Sequence, residues 1–207
     1  MTVVKRRDVL KWLGGGLVAW PLAPVLAKEP VPISIYDEGR IEYKFHRREV
    51  KFQTAEPPGT IIVDTRKRWL FFVLPGGKAI RYGIGIGNSF SLWSGTATIS
   101  RKAKWPTWTP TAEMFQRSER FKKWQAGMPG GPDNPLGARA LYLLNDGKDN
   151  HYRIHGTPLP ETVGQMGTSG CFRMLNKDVI DLFDRVEVGT RVIVLSRDGK
   201  PAKVKGN

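Results

Sequence analysis

The chain is poor in the residues from which metal and redox sites are built. It has one cysteine, Cys171, and only three histidines, His46, His151 and His155. One cysteine excludes an internal disulfide, and one thiol among scattered histidines gives no ligand cluster for zinc. Long apolar runs are missing too: the N-terminal one is short, and Gly and Pro interrupt it, so it does not span a bilayer comfortably. Acidic residues are few, 19 against 33 basic, for a formal net charge of +14. A surface of that sign favours polyanions (nucleic acid, anionic lipid or the bacterial envelope), and charge alone does not choose among them. No internal repeat is present.

What is present suggests one β-rich domain in 207 residues, with 40% hydrophobic content, 23 glycines and 15 prolines. The N-terminus, "KRRDVLKWLGGGLVAWPLAPVLA" (5–27), has a basic start, a short apolar run and small residues Val25 and Ala27 at the cleavage positions. This is a signal-peptide layout, and Arg6-Arg7 resembles a twin-arginine export signal. Residues 1–27 are therefore expected to direct export, which turns the basic charge away from nucleic acid and toward the envelope. Residues 28–58 read as an N-terminal extension with one strand, 59–197 as the main domain and 198–207 as a flexible tail.

Within the domain, "TIIVDT" (60–65) and "RWLFFVL" (68–74) read as strands, and "PGGK" (75–78) as the turn into "AIRYGIGIG" (79–87). The glycines of "GIGIG" alternate with period two, which argues for strand and against a dinucleotide loop. "GTATISRKAKW" (95–105), "RALYLLN" (139–145), "HYRIHG" (151–156) and "RVIVLS" (191–196) are further strands. "TAEMFQRSERFKKWQ" (111–125) reads as a helix capped by Thr111, with Met114, Phe115, Phe121 and Trp124 as a partial apolar face. "NKDVIDLFDRV" (176–186) reads as an amphipathic helix capped by Asn176, with Val179, Leu182, Phe183 and Val186 at i, i+3, i+4 and i+7. The Gly/Pro loop 126–138 is long enough to be functional, and Trp105 and Trp108 are candidates for a groove wall or for packing.

The chemistry centres on "TSGCFRM" (168–174). An unpaired cysteine on an exported chain is either an intermolecular bridge or a reactive thiol. A thiolate is the nucleophile, and a nearby base is its usual activator. His46, in a basic run, reads as solvated, and His151 as a surface residue. His155 ends a strand, precedes Gly156-Thr157, and lies on the segment that leads to Cys171. Gly170 permits a tight, exposed turn whose N–H groups can face a developing oxyanion. Arg173 can favour the thiolate or grip a carboxylate.

These residues resemble the signature of the L,D-transpeptidase catalytic domain, in "YRIHGT…TSGCFRMLNKDVIDLF". The likeness extends to "GTIIVDTRKRWLFFVLPGGKAIRYGIGIG", "WSGTATI" and "DNPLGARALYL", over roughly residues 59–195. The resemblance implies a mainly β fold with a few helices (α+β), sandwich- or barrel-like. It implies Cys171 as nucleophile, His155 as base and Gly170 with Ser169 at the oxyanion turn. Arg173, Thr168, Gly156 and Thr157 would contact or position substrate. It further implies a peptidoglycan stem peptide as partner and a periplasmic, cell-wall setting in peptidoglycan synthesis and cell shape. No cofactor, metal or nucleic acid is expected, and the chain is expected to be monomeric. Two departures stand out: Ser169 replaces a histidine common in the family, and "SLWSG" replaces its usual Pro-containing segment. A non-catalytic wall-binding module, and an envelope protein that dimerises through Cys171, remain alternative readings.

Overall fold

The computed structural model describes residues 29–34, 37–87, 93–168, 170–196 and 199. The export signal, Ser169 and the tail other than Gly199 lie outside the described residues. Among the described residues eleven strands run β1 (Arg48–Lys51), β2 (Ile61–Asp64), β3 (Trp69–Leu74), β4 (Lys78–Gly83), β5 (Ile86–Gly87) and β6 (Gly95–Lys104), then β7 (Arg139–Asn145), β8 (Lys148–His155), β9 (Met166–Thr168), β10 (Phe172–Arg173) and β11 (Arg191–Val194). Nine form one sheet in the order β1-β4-β3-β2-β11-β6-β7-β8-β10, and β5 pairs with β9. The fold is mainly β with two α-helices, α1 (Ala112–Arg117) and α2 (Asn176–Arg185), and short 3-10 turns.

The sheet buries both faces, which explains the nearly continuous apolar runs of its central strands. On β2, Ile61 and Val63 join a large core shared with α2, while Ile62 joins a second cluster with Phe71, Val73, Ala79 and Ile193. Helix α2 turns Val179, Leu182 and Phe183 into the large core, as its periodicity predicts. Burial of these side chains contributes about 1.5–3 kcal/mol each before conformational entropy is counted. The extension contributes its expected strand: β1 pairs antiparallel with β4, and Phe45 before it is fully buried against Val163 and Leu175.

Four local expectations change. Asn176 is not the cap of α2. Leu175 holds that position, and the Asn176 side chain instead accepts from Ala138 N–H at 2.9 Å and donates to the Thr157 carbonyl at 3.0 Å. A tertiary clasp has taken the side chain away from the helix end. The 111–125 helix breaks at extended Ser118 into α1, capped by Thr111 as expected, and a 3-10 turn Glu119–Trp124. The "GIGIG" strand is interrupted after Gly83, because Gly85 leaves the β4 ladder and bridges Arg173 instead. His46 is not solvated. It is half-buried, its ring 5.1 Å from Tyr43 and its Nε2 enclosed without a hydrogen-bond partner, since the basic run folds back onto the sheet.

Candidate active site

Two neighbouring strands bring the chemistry together. β10 lies parallel to β8, with Phe172 beside Ile154 and Arg173 beside His155. The Met174 N–H donates to the His155 carbonyl at 2.8 Å, and Gly85 and Arg173 exchange backbone hydrogen bonds at 2.8 and 2.9 Å. Cys171, one residue before β10, is thereby held at the sheet edge next to the end of β8. Gly170 before it has φ +125°, a conformation that a residue with a Cβ adopts only under strain.

Cys171, His155, Thr157 and Arg173 line one cavity of about 470 Å³. The 105–138 segment lines the same cavity through Trp108, Met114, Asp133 and Leu136. That wall is fixed by Asn134, which is completely buried. Its Nδ2 reaches the carbonyls of Pro106, Met128 and Pro129 at 2.9–3.1 Å, and its Oδ1 accepts from Leu136 N–H at 2.8 Å. With its nitrogen and its oxygen both engaged, such a buried amide specifies one loop path.

His155 is buried, 5% exposed. Its Nδ1 lies 2.6 Å from the Gly156 carbonyl. A carbonyl only accepts, so Nδ1 carries the proton and Nε2 keeps its lone pair as the basic nitrogen. Gly156 is required there, since a Cβ would collide with Asn176 Oδ1 and press on Ala138 N. Burial holds the imidazole down at about 4, against the help of the Gly156 carbonyl; the Arg173 and Arg153 charges push it the same way. It is therefore neutral near pH 7.

Burial also pushes the Cys171 thiol up, against the Arg153 N–H and the Arg153 and Arg173 charges that favour the thiolate. The resting pair is thus thiol and imidazole rather than thiolate and imidazolium. Among the described residues no hydrogen bond joins them; the Sγ lies instead 3.9 Å from the His151 carbonyl. Hydrogen bonds of this kind commonly tighten only once substrate is bound. His151 is exposed, as expected, and its φ of +60° turns that carbonyl toward the thiol.

The match to known proteins is broad. Residues 58–194 match the L,D-transpeptidase catalytic domain family (YkuD). The chain belongs to this family. It is 34% identical over 144 residues to the probable L,D-transpeptidase ErfK/SrfK of Escherichia coli, covering 68% of this chain and 45% of that protein. It thus spans less than half the length of that relative. It is 30% identical over 196 residues to the L,D-transpeptidase named from open reading frame 5 of the ATP synthase subunits region of Fuscovulum blasticum, covering 94% and 98% of the two. A crystal structure from Brucella melitensis, described as a probable carnitine operon oxidoreductase, is 47% identical with a TM-score of 0.53, covering 78% of this chain and 99% of that one.

Of the L,D-transpeptidase site residues expected from sequence, the structure gathers Cys171, His155, Thr157 and Arg173 on one cavity, with Gly156 and Gly170 supporting them. Thr157 is also structural: its Oγ1 accepts from Leu159 N–H at 3.1 Å. Thr168 ends β9, where its backbone pairs with Gly87. Trp108 lines the cavity, whereas Trp105 borders a smaller neighbouring one. Sequence reasoning did not single out Asp133, Leu136 or Leu159 for the site. The signals were the length of the 126–138 loop and the likeness of "DNPLGARALYL" to the family, neither of which assigns a side chain to the site, and the Gly156 carbonyl, a backbone atom, gives none. Among the described residues no cluster of His, Cys, Asp and Glu could hold a metal ion.

Proposed function

We propose that this L,D-transpeptidase uses Cys171 as its nucleophile on a peptidoglycan stem peptide. The observation that carries the reading is a free thiol sharing a cavity with a neutral histidine whose Nδ1 is tied to the Gly156 carbonyl. That tie leaves Nε2 as acceptor for the thiol proton.

The thiol proton passes to His155 Nε2 as Sγ bonds to the carbonyl carbon of the diamino acid in a tetrapeptide stem. The oxyanion develops near the Cys171 N–H and the Gly170 turn. Collapse breaks the C–N bond to the terminal D-alanine, whose amine leaves with the proton from His155, and a thioester remains. The side-chain amine of a second stem then attacks, His155 takes its proton, and Sγ departs and is reprotonated. The product is a 3→3 crosslink. Water or a protein lysine as acceptor would instead give carboxypeptidase or protein-anchoring activity through the same thioester. The basic, export-like N-terminus supports an envelope setting for this reaction, where an anionic wall would attract a basic protein.

A redox reading, suggested by the description of the Brucella protein, has less support. The "GIGIG" stretch runs from the end of β4 into β5, and its central Gly85 bridges Arg173, whereas a dinucleotide loop needs a turn into a helix. The deciding experiment is intact-mass analysis after incubation with a carbapenem-type β-lactam. One covalent adduct is expected, and Cys171→Ala should form none. A demonstrably free thiol that stays unmodified overturns the nucleophile assignment, and tetrapeptide stems then separate crosslinking from trimming.

A further inference from the structure

The cavity wall carries two charges that the mechanism above leaves unassigned in full. With His155 neutral, Arg173 and Asp133 are the charged side chains among those lining it. The Arg173 Nε is buried without a hydrogen-bond partner, and no ion pair ties its guanidinium to a carboxylate of the described residues. Asp133 makes neither a hydrogen bond nor an ion pair within the described residues, although the chain carries 33 basic side chains. The two do not neutralise each other, so the cavity keeps a negative and a positive pole.

The placement of Asp133 is fixed. It stands between Pro132 and Asn134, whose four hydrogen bonds pin this turn. Its neighbour's amide is fully buried, while Asp133 itself is exposed on the cavity wall. A carboxylate held by a rigid turn, unpaired and facing the thiol's cavity is an ammonium-binding group at low reorganisation cost.

We propose that Asp133 recognises the side-chain ammonium of a diamino acid in a stem peptide, with Arg173 as the opposite pole for a carboxylate of the same substrate. The inference rests on the stem-peptide reading above. Asp133 is a specificity residue: it touches the substrate's amine and takes no part in the transfer to sulfur.

The test uses Cys171→Ala protein, which can bind without turnover, and two synthetic tetrapeptide stems, one with a free side-chain amine and one acetylated there. The free-amine stem should bind about two- to fivefold more tightly, the range for an ion pair at an exposed carboxylate. Adding Asp133→Asn should equalise the two, and Asp133→Glu should restore part of the preference. In turnover by the otherwise wild-type chain, Asp133→Asn should raise the KM for D-alanine release if the donor's amine is bound. It should raise the acceptor KM for crosslinking if the acceptor's amine is bound. Either result supports an ammonium site. Equal binding of the two stems by protein that retains Asp133 overturns the proposal and needs no folded Asp133 variant, as does an unchanged preference in Asp133→Asn. If the wild-type chain forms no β-lactam adduct and releases no D-alanine, the stem-peptide reading itself fails; a normal adduct with no amine preference removes only the role of Asp133.

Discussion

The segment that carries Cys171 has two contrasting sides. Behind it, residues 38–47 of the N-terminal extension clip both legs of the loop. Arg40 pairs with Glu161 at 2.8 Å on the incoming leg, and Glu38 pairs with Lys177 at 2.6 Å on the outgoing one. Arg47 reaches Asp181 at 3.2 Å and Asp178 at 3.8 Å, and Phe45 packs between Val163 and Leu175. In front, the cavity wall keeps Arg173 and Asp133 apart and unpaired. Charges behind Cys171 are paired within the protein, whereas Arg173 and Asp133 on the cavity wall are not. On the reading proposed above, a basic chain that leaves a carboxylate unpaired on the cavity of its thiol is polarised for binding there.

The largest break in this contrast is expected from His155→Ala. Acylation by the β-lactam should fall at least about 100-fold, the usual scale for losing a general base. In the wild-type chain burial holds His155 at about 4, so the acylation rate should stay level as pH falls from 7 to 5 and decline only toward pH 4. An acid limb near 6.5 in stopped-flow acylation would mean that the imidazole is solvated.

Behind Cys171, Phe45→Ala should cost about 3 kcal/mol or more in chemical denaturation, because it empties a fully buried aromatic site. It should also slow acylation, because both legs of the Cys171 loop lose their common packing partner. A large stability loss with an unchanged acylation rate would show that the extension supports the fold without positioning the site.

Asp178 gives a smaller, pH-dependent effect. Burial raises its carboxyl to about 7, with Arg47 and Lys177 pulling the other way. The folded chain therefore holds a proton that the unfolded chain releases near 3.8. That contribution to stability is full below about 4 and is lost as pH rises through about 7. Asp178→Asn should accordingly be more stable than the wild-type chain at pH 8, with the gap closing toward pH 4. Thermal melts across that range check it, and a gap of constant size would show that Arg47 compensates the ionised carboxylate.

Periodicity made much of the sheet legible. The strands at 139–145 and 191–196 follow from short, nearly continuous apolar runs, and the apolar face of α2 from i, i+3, i+4 spacing. It failed where a long-range partner outbid a local one. Asn176 had the right identity for a cap, yet Ala138 and Thr157 claim its amide. "GIGIG" alternates like one strand, yet Gly85 leaves the ladder for Arg173. His46 sits in a basic run, yet Phe45 beside it is core and draws it inward.

The site divides in the same way. Cys171 and His155 were readable as a candidate pair, because a lone thiol and a strand-end histidine are unusual residues in a specific local pattern. Their chemistry depends on neighbours that no local pattern specifies: the Gly156 carbonyl that fixes the tautomer, the burial that keeps both groups neutral, and the Asn134 turn that holds Asp133 on the cavity wall. Residue identity sets which groups can give or take a proton, and sequence alone supplies that. Which are desolvated, and which opposite charges stay apart, depends on distances between segments remote in the chain, and the tertiary structure decided those.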